Sequence, residues 1–66
     1  MTGEIVRVEF EKGFGFIRGE DGVERFFHAT ALQGMRFDDL RRLPVLVTFE
    51  PTQTPKGLRA EQVRQA

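Results

Sequence analysis

Apolar and polar residues alternate over short stretches of this chain, and nowhere do they keep the three-to-four residue spacing of an amphipathic helix. Residues 3–10 (Gly-Glu-Ile-Val-Arg-Val-Glu-Phe) are rich in β-branched side chains and alternate in part, which predicts a first strand. After the turn Glu11-Lys12-Gly13, residues 14–19 form a second strand ending at Gly19. Glu20-Asp21-Gly22 is a hairpin signal, since Asp-Gly suits the positive φ of tight turns, and residues 23–28 follow as a third strand. Residues 29–44 make a connection with room for single helical turns around Thr30-Ala31-Leu32 and Asp38–Leu43, both too short to stand as free helices. Residues 45–50 (Val-Leu-Val-Thr-Phe-Glu) are the most apolar stretch and predict a buried fourth strand. Pro51 to Gly57 reads as a turn-rich linker, and 58–63 as a fifth strand. Five short strands with tight turns predict one all-β domain over residues 1–66, a small barrel whose closure removes exposed sheet edges.

Within this pattern one stretch is unusual. In Lys12-Gly13-Phe14-Gly15-Phe16-Ile17, two phenylalanines stand at alternate positions with glycine between them. Alternate residues of a strand share a face, so Phe14 and Phe16 point one way and Gly13, Gly15 and Ile17 the other. A glycine there marks a close backbone approach or a sharp coil, and these glycines are expected to let a ligand approach and the strand coil. Counting back from the Asp21-Gly22 turn, Phe26 and His28 share a face with Phe16 and Phe14, while Phe27 joins Ile17. Ile17, Phe27, Val45, Val47 and Phe49 are then the expected core. Phe14, Phe16, Phe26 and His28 form an outward aromatic patch. Arg25 falls at a core-facing position, and its head is expected to reach water from a frayed strand start.

Composition narrows what such a patch can do. The 66 residues contain seven phenylalanines, no tryptophan, no tyrosine and no cysteine, which excludes disulfides and thiolate metal sites. The lack of cysteine fits a reducing compartment. No apolar run approaches the roughly 20 residues of a membrane helix, and no signal peptide pattern opens the chain, so a cytoplasmic setting is expected. Lys+Arg and Asp+Glu are both 10, a net charge of zero, which argues against a binder driven by charge alone. Residues 1–30 carry four basic and six acidic groups, a net of −2, and residues 31–66 carry six and four, a net of +2.

An exposed aromatic patch fringed by cations suits single-stranded nucleic acid. Every base has a π-face, and each stacked base contributes roughly 1–3 kcal/mol, enough to offset a missing positive charge and leave a shallow salt dependence. A docking surface for a protein partner is the alternative use of the same patch. The single His28 has neither a partnered nucleophile for catalysis nor a second histidine for metal, so it contacts a base or serves the fold. Gly13-Phe14-Gly15 lacks the Walker and Rossmann spacings of phosphate loops. No catalytic constellation is present, no cofactor or small-molecule substrate is implied, and a monomeric, non-enzymatic binder is expected. Arg41-Arg42 reads as a solvated face, Phe10 either covers the barrel end or extends the patch, and Phe37 in the connection either contacts a base or plugs the barrel.

The two aromatic stretches resemble the cold-shock domain family, five-stranded antiparallel OB-fold barrels that bind single-stranded RNA and DNA. Lys12-Gly13-Phe14-Gly15-Phe16-Ile17 matches the family's first ribonucleoprotein motif, and Phe26-Phe27-His28 the core of its second. Gly3, Ala31-Leu32, Phe37, Lys56-Gly57, Ala60 and Val63 fit the remaining outline. The resemblance implies base contacts at Phe14, Phe16, Phe26, His28 and Phe37, with Lys12 beside them. Three departures stand out. Val6-Arg7-Val8 replaces the usual Lys-Trp-Phe, leaving the Arg7 guanidinium to stack on a base or meet a phosphate. Ala29 stands where an aromatic follows the histidine. One extra residue lies between Leu40 and Phe49, with Leu43-Pro44 in place of a glycine turn. Weaker binding or a shifted base preference is the expected consequence, within an RNA chaperone or regulator of transcripts.

Overall fold

A computed structural model describes all of residues 1–66. The chain is all β apart from two short 3-10 turns: β1 (Thr2–Glu9), β2 (Phe14–Gly19), β3 (Glu24–His28), β4 (Leu32–Gln33), β5 (Val45–Thr54) and β6 (Gly57–Gln65). One sheet runs in the order β3-β2-β1-β5-β6-β4, and an additional β3–β6 pairing closes it into a barrel. The five long strands are those expected of the OB-fold architecture, with the two-residue β4 added. Their neighbours are antiparallel, and only the bridges of β6 to β3 and to β4 are parallel.

The β2–β3 hairpin follows from its turn. Gly19 N–H donates to Val23 O at 2.9 Å and Gly22 N–H to Gly19 O at 2.9 Å, leaving Glu20-Asp21-Gly22 as the loop. Gly22 has φ 81°, a left-handed conformation that a side chain would strain. From this turn the register runs Arg18↔Glu24, Ile17↔Arg25, Phe16↔Phe26, Gly15↔Phe27 and Phe14↔His28.

Inward residues build one core: Ile5, Ile17, Phe27, Ala31, Leu40, Val47, Phe49, Ala60 and Val63 are buried. Val45, Val8, Phe10, Met35 and Phe37 pack partly buried against it. Two bulges decide who faces inward. In β1 the register shifts between Ile5↔Ile17 and Arg7↔Phe16, so Val6 is an extra residue. In β6 the shift between Thr48↔Arg64 and Glu50↔Glu61 inserts Gln62, which adopts φ 49°. A bulge reverses the alternation of its strand, and this one lets Ala60 and Val63, three apart, both reach the core.

Two readings from the sequence need correction. The strand that starts at Val45 does not end at Glu50. It runs on to Thr54, with Pro51 paired to Ala60 and a turn of Pro55-Lys56 alone. Prolines mark a linker only when the backbone needs their missing N–H. Arg25 does not send its head to water. The residue is 8% exposed, and its Nη1 and Nη2 donate to the Asp21 carboxylate at 3.1 and 2.7 Å. Its guanidinium carbon lies 5.7 Å from the Phe49 ring centroid. The turn that sets the register also brings Asp21 back over Arg25, and a bidentate pair makes burial of that charge tolerable.

Candidate nucleic-acid interface

Phe14, Phe16 and Phe26 meet on the outer face of the β2–β3 hairpin. Ring centroids are 5.9 Å apart for Phe14–Phe16, 5.2 Å for Phe14–Phe26 and 6.2 Å for Phe16–Phe26. The interplanar angles are 88°, 36° and 80°, so each ring presents a different plane, and all three are half-buried. Two edge-to-face contacts and one tilted contact hold the rings at this spacing.

Gly15 is what seats this array, and not by admitting a ligand. It is buried on the inner face opposite Phe27. A Cβ built there would lie 2.6 Å from Arg7 O and 2.7 Å from Phe27 Cε1. The backbone of β2 therefore presses on the core ring, and the neighbouring Phe14 and Phe16 stand outward from a strand with no room to roll.

His28 is exposed at the end of β3, beside Phe14 in the ladder. Thr30 N–H donates to its Nδ1 at 3.1 Å, and Thr30 Oγ1 is 3.0 Å from the same atom. A backbone N–H can only donate, so Nδ1 is the acceptor, which assigns the ring N–H to Nε2. Lys12 is exposed in the turn before β2.

Arg7 reaches the patch through the Val6 bulge. Strict alternation from the buried Ile5 would turn Arg7 inward; the extra residue turns it out, opposite Phe16, with its guanidinium carbon 4.4 Å from the Phe16 centroid. Two further arginines lie on phenylalanine faces. Arg59 sits 5.1 Å from Phe26, and Arg41 sits 4.4 Å from Phe10. The chain's ion pairs are Arg18–Glu4 at 2.6 Å and Arg25–Asp21, so none of these three arginines is tied to a carboxylate. A protein with no net charge thus concentrates unpaired cations on its aromatic faces.

Phe37 is not part of the three-ring array. Its ring meets Phe10 edge to face at 5.5 Å and 61°, partly buried against the core. With Arg41 over Phe10, these residues form a second aromatic station, so Arg41 is more than a solvated charge. Sequence reading passed over Arg59. Its neighbour Phe26 belongs to a strand about thirty residues away and is reached only through barrel closure.

The whole chain, residues 1–66, matches the model of the 'Cold-shock' DNA-binding domain. The chain belongs to the cold-shock domain family. It is 44% identical over 63 residues to the major cold shock protein of Micrococcus luteus, covering 94% of this chain and 92% of that protein. Temperature acclimation protein A of Pseudomonas fragi is 44% identical over 54 residues, 82% of this chain and 90% of its own length. Cold shock protein CapB of Pseudomonas syringae is 38% identical over 64 residues, 97% and 91% of the two chains. As a cold-shock domain, the chain is a nucleic-acid-binding module. No helix in it is long and apolar enough to cross a membrane.

Proposed function

We propose that this cold-shock domain binds single-stranded RNA or DNA by stacking bases on Phe14, Phe16 and Phe26, and acts as an RNA chaperone. The observation that carries the reading is the three-ring array itself. Three half-exposed phenylalanines within about one base-width of each other, on a face with no acidic partner for its arginines, fit successive unpaired bases. In a duplex those π-faces are already stacked and shielded, so the surface favours separated strands. Binding unpaired bases then competes with pairing and melts weak hairpins without ATP.

In this reading Lys12 and Arg7 meet phosphates or base planes at the rim, and His28 offers Nε2–H to a base edge. Phe37, with Phe10, takes a base at the second station. Phe27 and Gly15 support from inside and touch no ligand.

The test is a titration of a fluorescently labelled pyrimidine-rich oligonucleotide against a duplex of the same sequence. The label is needed because the chain has no tryptophan or tyrosine. Tight binding of the single strand, weak binding of the duplex, and loss on Phe16→Ala are expected. Equal affinity for the two forms would sink the reading. Partner capture that survives nuclease treatment and disappears with Phe16→Ala would instead identify the patch as a protein-docking surface.

A further inference from the structure

Barrel closure does more than remove sheet edges. The parallel bridge between β3 and β6 makes Phe26 and Arg59 Cα partners, and it sets Arg59 on the Phe26 face. Beside them lies a cleft of about 300 Å³ lined by Phe26, Thr54, Lys56, Gly57, Leu58 and Arg59. No carboxylate lines it, and neither Lys56 nor Arg59 takes part in an ion pair.

The one neutral polar side chain that lines the cleft, Thr54, is engaged within its own turn. The Thr54 hydroxyl already donates to Gly57 O at 3.1 Å and accepts from Lys56 N–H at 3.2 Å, which occupies both groups within the turn. A base edge generally needs donors and acceptors together; an anion needs donors alone. Arg59 is half-buried, and its Nε is enclosed without an acceptor. Enclosing that donor is unfavourable, and the enclosure anchors the stem and leaves the charged head at a defined place on the wall.

We infer that the Lys56–Arg59 cleft is an anion subsite that takes a phosphodiester group of the bound single strand, adjacent to the base on Phe26. The inference rests on the single-strand reading above and specifies which part of the ligand lies at this end of the array. A base on Phe26 leaves its phosphate within reach of a wall that carries two cations. The subsite draws affinity from charge where the three rings draw it from stacking.

The experiment is a salt series of anisotropy titrations with a labelled homothymidine strand and a guanine-containing strand of the same length. Arg59→Gln and Lys56→Gln each weaken binding several-fold at low salt and flatten the slope of log affinity against log salt by about 0.7, the value for one phosphate contact on a single strand. Arg59→Lys keeps the slope. Phe16→Ala weakens binding without changing it. An unchanged slope in both glutamine variants, with Phe16→Ala still weakened, overturns the subsite and leaves the stacking reading intact. No preference of the unmodified protein for single strand over duplex overturns both. A loss in Arg59→Gln that is confined to guanine-containing strands and leaves the slope alone makes Arg59 a base reader, and the phosphate assignment fails. Should Arg59→Gln melt below the assay temperature by circular dichroism, Lys56→Gln decides by the same slope.

Discussion

The guanidinium of Arg7 lies 4.4 Å from the centre of the Phe16 ring because Val6 has no partner in β2. One unpaired residue converts an inward position into an outward one. A cationic plane thereby stands at the rim where the cold-shock resemblance leads one to expect a tryptophan, and it brings charge in exchange for aromatic area. Arg7→Ala should weaken single-strand binding about threefold to tenfold, in line with a lost cation–π or base-stacking contact. Arg7→Trp should bind more tightly than the unmodified protein at high salt and show a shallower salt slope. Parallel anisotropy titrations at low and high salt check both.

Phe16 and Phe27 are both aromatic residues of one hairpin, on opposite faces, and truncating them should produce opposite phenotypes. Phe27 is wholly buried, so Phe27→Ala should cost about 3–5 kcal/mol of stability, a large share of what so small a domain has. Phe16→Ala should reduce affinity by the worth of a stacked base, about 1–3 kcal/mol, with a much smaller effect on unfolding. Urea denaturation followed by far-UV circular dichroism, set beside oligonucleotide titration, separates the two.

Gly15→Ala tests whether the glycine between the two motif phenylalanines serves packing or ligand approach. The added methyl would meet backbone oxygen on one side and the Phe27 ring on the other, at 2.6 and 2.7 Å. Neither can retreat without moving the barrel wall, so the variant should lose about 1–3 kcal/mol of stability. If the variant keeps its stability and loses only affinity, the inner-face role of Gly15 is wrong.

Acid should find the Arg25–Asp21 pair. The side-chain hydrogen bonds from Arg25, helped by the Val23 N–H, hold the Asp21 carboxyl at about 2, below its ordinary 3.8. On acidification the unfolded chain therefore takes up this proton first. The contribution of the pair is complete above about pH 4 and disappears as pH falls through about 2. In Asp21→Asn the melting temperature should be lower at neutral pH, and the drop across that acid window should shrink. Thermal unfolding by circular dichroism over a pH series is the measurement. Identical profiles for the two proteins would exclude the pair as a source of acid sensitivity.

Much of the outer array was readable from residues 14–28. Asp21-Gly22 sets a local turn, a local turn sets the register, and alternation then assigns Phe14, Phe16, Phe26 and His28 to one face and Ile17 and Phe27 to the other. Arg25 was misread because its partner arises from the turn itself. A buried arginine looks like an error until the carboxylate four residues earlier folds back over it. Pro51 misled for a related reason, since a proline breaks a strand only where the ladder requires its N–H.

What the sequence determined by itself is the presence of five strands, the hairpin at Asp21-Gly22 and the faces of its rings, because turn chemistry and alternation act within one hairpin. Tertiary structure alone decided the arginines and the second station. Arg7 turns outward through a bulge that no alternation rule announces. Arg59 reaches Phe26 only when the barrel closes β6 onto β3, and Phe37 meets Phe10 across a long connection. These placements depend on register between strands distant in the chain, and that register is set by filling the core from all sides at once.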